Sequence, residues 1–301
     1  MKPGSGKASA SVRLGKGVGH RPRKRFGQNF LRDEVVIDRI ISSIHPQVQD
    51  HLLEIGPGQG ALTHLLASSG ARLDCVELDR DLVAFLQQSF ADSERVRIFQ
   101  QDILKFDIAD LASEPRSLRI IGNLPYNIST PVLFHLIKSH TLIKDMTFML
   151  QLEVVQRMSA ACGEKNYGRL GLMLQYFCRV EHLFNVPSTA FSPQPKVSSA
   201  IVRLTPHQEF PLQARDVKCL HNVVRTAFNQ RRKTLKNSLK TLIPEDVLQA
   251  LPLDSSLRPE NLSLADYVMI SDAVSELSGS EVMISDADSE LSGSEAVDTD
   301  Q

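Results

Sequence analysis

Two short stretches of the 301-residue chain combine residue types that can do chemistry. The first is Glu54-Ile55-Gly56-Pro57-Gly58-Gln59-Gly60. Glycines such as Gly56 and Gly58 let a chain turn sharply and bring its backbone close to a ligand, with no Cβ in the way. Such a turn alone is shared by NAD and nucleotide sites. Here, however, the spacing is G-x-G-x-G with an acid two positions upstream, not the G-x-G-x-x-G of dinucleotide sites. Glu77 follows Gly56 by 21 residues, where a carboxylate can accept both ribose hydroxyls, and Asp102 falls where one can accept an adenine amino group. Each acid alone would read as a solvated loop residue. Three at successive strand ends point to S-adenosylmethionine.

The second stretch is Asn123-Leu124-Pro125-Tyr126. An adenine N6 lone pair is delocalised into its ring, so attack on a methyl sulfonium requires the amine to lose planarity. The Asn123 side-chain oxygen and the Leu124 carbonyl can accept its two hydrogens, and Pro125 fixes the backbone that presents them. Tyr126 offers a flat face for an extruded base. No strong base is needed, because the amine proton becomes acidic as the C–N bond forms; positioning and electrostatics carry the rate. Asn-x-Pro is also ordinary turn chemistry, so the reading depends on what places the turn.

What places it is an alternation of strands and helices. Strands are predicted at 51–55, 72–78, 96–101, 118–121 and 146–150, with two more near 180–186 and 197–204. Helices are predicted after Asp33, at 61–69, at 81–90 and from Thr130-Pro131 onward. This is the pattern of a Rossmann-like, doubly wound, mainly parallel seven-stranded α/β sheet, whose strand ends would carry Gly56, Glu77, Asp102 and Asn123. After Pro206 the pattern turns helical, near 214–229, 233–242, 245–251 and 263–270. The expected organisation is a disordered basic arm (1–21), a methyltransferase domain (22–206), a small all-helical RNA-binding domain (207–270) and a disordered acidic tail (271–301). The tail contains a tandem repeat, VMISDAVSELSGSE at 268–281 and VMISDADSELSGSE at 282–295, differing only at Val274 and Asp288.

The net charge of −1 conceals a separation. Residues 1–25 carry eight bases and no acid; from Glu245 onward there are 14 acids against Arg258 alone, leaving residues 1–244 at +12. A basic folded part suits a polyanionic partner. Arg231, Arg232, Lys233, Lys236 and Lys240 cluster on a predicted helix, as a solvated face or as phosphate contacts. No apolar run approaches the roughly 18–20 residues of a membrane span, and the basic N-terminus lacks a secretory apolar core. Gly15, Gly17 and Gly19 also break up any amphipathic transit helix there. Cys75, Cys162, Cys178 and Cys219 are scattered in apolar stretches, favouring buried thiols in a reducing compartment and no structural metal.

Taken in order, these motifs resemble the ribosomal RNA adenine dimethyltransferases of the small-subunit (KsgA/RsmA) type. Further matching stretches are Lys24-Arg25-Phe26-Gly27-Gln28-Asn29-Phe30-Leu31, Asn166-Tyr167-Gly168-Arg169-Leu170, Phe191-Ser192-Pro193-Gln194-Pro195-Lys196-Val197 and Asn229-Gln230-Arg231-Arg232-Lys233-Thr234-Leu235. The resemblance spans about residues 22–270. It implies N6,N6-dimethylation of two adjacent adenosines in the 3′-terminal hairpin loop of small-subunit (16S) rRNA, with a role in assembly of the 30S precursor. It also implies that Asn29 and Leu31 line the cofactor pocket with Gly56, Glu77, Asp102 and Asn123, and that Phe191 stacks on the target base opposite Tyr126. Read without the family, Phe191 is equally a core aromatic. A cytoplasmic monomer is expected. The rivals are a large-subunit methyltransferase of the antibiotic-resistance type, a non-catalytic RNA-binding assembly factor and, against the glycine spacing, an NAD-dependent oxidoreductase.

Overall fold

A computed structural model describes residues 28–112 and 114–291, with side chains placed through residue 277; the expected basic arm lies outside the described residues. The chain forms two compact units, one of residues 1–152 and 183–202, the other of 153–182 and 203–301.

In the first unit, β1 (Phe30–Leu31) precedes α1 (Glu34–Ile44). Asp33 caps α1 by accepting the Val36 N–H, and Ile37, Ile40 and Ile44 recur on one buried face. Then come β2 (His51–Ile55), α2 (Thr63–Ser68), β3 (Arg72–Glu77), α3 (Arg80–Ser89), β4 (Val96–Gln100), β5 (Leu118–Asn123), α4 (Ser129–Leu136) and β6 (Ile143–Gln151). The remaining strands are β7 (Cys178–Val186), β8 (Phe191–Ser192) and β9 (Ser199–Pro206). The main sheet has the predicted seven strands, in the order β4-β3-β2-β5-β6-β9-β7. The pairs from β4 through β6 are all parallel. Leu52 and Leu73 from the sheet pack fully buried against Leu66 of α2 and the isoleucines of α1.

Strand order reverses beside β2, which has β3 on one side and β5 on the other. Ligands of open α/β sheets bind at such a switch point, outside the carboxyl ends of the strands. Close approach of β2 and β5 there depends on Gly122, opposite Ile55: a Cβ at Gly122 would lie 2.9 Å from the Ile55 carbonyl oxygen.

The second unit contains α5 (Leu152–Ser159), α6 (Arg169–Phe177), α7 (Val217–Asn229), α8 (Leu235–Leu239), α9 (Glu245–Ala250) and α10 (Leu264–Leu291). Three expectations are corrected here. The division does not fall at 206, because residues 153–182 belong with the C-terminal helices. An aromatic chain explains it: Tyr167 meets Phe228 edge-on at 6.1 Å, and Phe228 stacks on Tyr267 at 5.9 Å. Nor does the chain become a disordered tail at 271, since α10 continues to Leu291 and buries Ile270, Ser271 and Val274 beside α7. Finally, Cys162 is exposed, whereas Cys75 and Cys178 are buried.

Candidate methyl-transfer site

The carboxyl ends of β2, β3, β4 and β5 open onto a cavity of about 520 Å³. Asn29, Leu31, Gly56, Gly58, Glu77, Asp102, Asn123, Leu124, Pro125 and Tyr126 all line it. The glycine loop follows β2 with Gly56 and Gly58 at φ +66° and +59°, a backbone region that side chains disfavour. Contact tightens the requirement at Gly58, where a Cβ would lie 3.3 Å from the Phe30 ring.

Glu77, 8% exposed, organises this loop. Its Oε2 accepts the Gly58 N–H at 3.1 Å, and its Oε1 accepts those of Leu78 and Asp79, both at 2.9 Å. Burial raises its pKa, and these three N–H groups oppose the rise. Oε1 is saturated by its two bonds, whereas Oε2 has acceptor capacity left for a ribose hydroxyl. Glu54, fully enclosed beneath the loop, is pushed up to about 7 by burial and by the nearby Glu77 charge. Asp102, just past β4, spends one oxygen on the Leu104 N–H at 3.0 Å. The lining acids thus form no ion pair with a base among the described residues, an environment that suits the cationic sulfonium and ammonium of S-adenosylmethionine. The left-handed glycines, the partly spent ribose acceptor and the cavity volume all fit that cofactor.

At the end of β5, the Asn123 Nδ2 donates to the Asn29 carbonyl at 3.3 Å. A carbonyl can only accept, so the amide nitrogen must face it and Oδ1 remains the acceptor on the other side. The Leu124 N–H donates to the Met149 carbonyl of β6, fixing the peptide ahead of Pro125. The Tyr126 hydroxyl lies 2.8 Å from that of the buried Ser199, which holds the half-buried ring in one orientation.

Phe191 does not join this group. It pairs with Leu31 in the β1–β8 ribbon, is 5% exposed and sits in the hydrophobic core, so the stacking expected of it has no support in this geometry. Its neighbour Ser192 points outward, as strand alternation requires. Sequence reasoning overlooked Phe30 and Gly122. It also overlooked the clasp in which an Arg32 guanidinium N–H donates to Gln59 Oε1, and the Ser199 support of Tyr126. Of these, Gly122 alone gave a local signal, a glycine directly before the Asn123 turn.

Of the basic residues expected on a helix, Lys236 lies in α8 and Lys240 ends it, while the other three occupy a turn. Arg231, Arg232 and Lys233 lie between α7 and α8, because the Gln230-Arg231-Arg232-Lys233 segment ends α7. Arg231 donates to the Lys165 carbonyl at 2.8 Å and pairs with Glu260, while Lys236 pairs with Glu245. Arg232 and Lys233 are exposed and form no ion pair among the described residues.

Comparison with known proteins agrees with this geometry. Residues 19–276 match the family model described as ribosomal RNA adenine dimethylase. The chain belongs to this family. It is therefore an S-adenosylmethionine-dependent rRNA adenine dimethyltransferase with a Rossmann-like fold. It is 58% identical over 257 residues to the ribosomal RNA small subunit methyltransferase A of Pseudomonas syringae pv. tomato, covering 85% of this chain and 96% of that protein. A crystal structure of a dimethyladenosine transferase from Plasmodium falciparum matches with TM-score 0.69 at 27% identity, covering 79% of this chain and 94% of that one. The 23S rRNA methyltransferase ErmE shares the fold, with TM-score 0.64 at 24% identity over 82% of this chain and all of that one. Among the described residues, no helix is long and apolar enough to cross a membrane.

Proposed function

We propose that this chain dimethylates N6 of two adjacent adenosines in the 3′-terminal hairpin loop of small-subunit rRNA, acting as a cytoplasmic monomer on the 30S precursor. The observation that carries the chemistry is the Asn123 bond to the Asn29 carbonyl, which leaves Asn123 Oδ1 as an oriented acceptor beside the fixed Tyr126 ring. S-adenosylmethionine supplies an electrophilic methyl group. The chain's own residues do the rest. Gly56, Gly58 and Glu77 hold the cofactor's ribose side, with Asn29, Leu31 and Asp102 along the same cavity. Asn123 Oδ1 and the Leu124 carbonyl accept the two N6 hydrogens, drawing the lone pair out of conjugation, and Tyr126 stacks on the base. Arg231, Arg232, Lys233 and Lys236 contact RNA phosphates, with Arg232 and Lys233 the more available pair.

The choice of subunit rests on the small-subunit name carried by a relative 58% identical over nearly its whole length. Mass spectrometry of the rRNA 3′ region in cells with and without the protein tests it. Dimethyladenosine disappears on deletion and does not return with Asn123→Ala, for which transfer falls about 10²–10³-fold. Methylation of isolated 50S rather than 30S particles would refute the assignment.

A further inference from the structure

The second unit contains two guanidinium groups that are oriented but not neutralised. Arg169, the first residue of α6, donates from Nη2 to His221 Nε2 at 2.8 Å. Because arginine cannot accept a hydrogen bond, Nε2 must be the acceptor and His221 is neutral in this arrangement. Arg225 follows His221 by four residues on α7 and so shares its face. It donates to Asn222 Oδ1 at 2.8 Å. Each arginine is therefore positioned by a neutral acceptor. Neither forms an ion pair with a carboxylate among the described residues.

Three features make this arrangement costly without an anion. Arg169 Nε is buried with no hydrogen-bond partner, so no carboxylate grips the guanidinium as a fork. Arg169 also stands in the first turn of a nine-residue helix with no side-chain cap and no acid, where its charge opposes the helix dipole. The charges crowd one another as well: burial and the Arg225 charge lower the Arg169 pKa, and burial followed by both arginines lowers that of His221.

We propose that Arg169 and Arg225, oriented by His221 and Asn222, bind one phosphodiester of the RNA backbone. The two guanidinium charges lie close enough to repel each other, and together they suit the charge and paired oxygens of a phosphodiester. The proposal rests on the reading that this chain binds rRNA, and it adds a contact outside the Arg231–Lys236 segment. Its chemistry is that of any phosphate, so the test must separate RNA from the free ion.

Binding of the full chain to a small-subunit rRNA 3′-terminal hairpin fragment is measured across a salt series. Arg225 is exposed, so Arg225→Gln leaves the fold intact; it should weaken binding about threefold, and the Arg169→Gln/Arg225→Gln pair about tenfold. In the double variant the slope of log K against log salt becomes shallower by about 1, while S-adenosylmethionine affinity stays unchanged. Arg225→Lys keeps the charge and restores most of the slope. A folded Arg225→Gln with wild-type affinity and slope overturns the proposal. So does a result in which inorganic phosphate stabilises the wild type through these residues but RNA binding ignores them. If the wild type itself binds neither the fragment nor the 30S precursor, the small-subunit reading falls first, a result distinguishable from loss of this one contact.

Discussion

The two ends of the central parallel sheet treat buried acids in opposite ways. At the amino ends of the strands, Asp50 accepts from Arg119 at 2.7 Å, and the same guanidinium reaches Asp145 and the Ile44 carbonyl. Asp74, fully buried, is held by His51 at 2.7 Å and by both arms of Arg97. Burial pushes both carboxyls up, but their hydrogen bonds and basic neighbours outweigh it and hold them below the usual range. At the carboxyl ends Glu54 and Glu77 have no such base among the described residues and are raised. The first end is closed and its charge balanced. The second is left with acids that a cationic cofactor can balance, so the sheet's stability is built at one end and its chemistry at the other.

The strongest way to break this comparison is to remove a base from the closed end. Arg119→Ala strands Asp50 and Asp145, so denaturant melts should show a loss of about 3–5 kcal/mol. Cofactor affinity of the folded fraction should stay unchanged. The pH response should also differ in sign between the two ends. Asp50 and Asp74 contribute stability that is present above 3.8 and lost as pH falls through their lowered folded values. Glu54 acts oppositely: stability is full below its ordinary 4.5 and declines as pH rises through about 7. Glu54→Gln should therefore stabilise the cofactor-free protein by about 1–3 kcal/mol at pH 8 and hardly at all at pH 4.5. A gain equal at both values would show that Glu54 titrates alike in the folded and unfolded chain and overturn its raised value.

Smaller effects sharpen the picture at the open end. Glu77→Ala should weaken S-adenosylmethionine binding about tenfold, since it removes the hydroxyl acceptor and releases the Gly58 N–H; unchanged calorimetric affinity would refute that assignment. Ser199→Ala frees the Tyr126 hydroxyl and should lower the rate of transfer about two- to tenfold, with cofactor affinity intact.

The open end was legible in the sequence because its signals are local. Gly56 and Gly58 mark a turn by composition, and Glu77, Asp102 and Asn123 each end or follow a short apolar run. What escaped was decided by partners distant along the chain. Phe191 reads equally as a core aromatic or a stacking platform until its pairing with Leu31, 160 residues earlier, turns it inward. Residues 153–182 read as part of the sheet domain until Tyr167 finds Phe228. The Arg231–Lys233 segment has helical composition, yet α7 stops at Asn229 and Arg231 reaches back to Lys165.

Helix α10 gives the duplication a mechanical meaning. Its first 14-residue copy presents Ile270, Ser271 and Val274 to the interior, and the second copy repeats that segment with Asp288 standing for Val274. Sliding the helix by one whole repeat would put Asp288 in the seat of Val274 and Glu281 in that of the fully buried Tyr267, driving carboxylates into apolar surroundings. The register of α10 is thus tied to two buried side chains, Tyr267 and Val274, that the residues one repeat later do not reproduce.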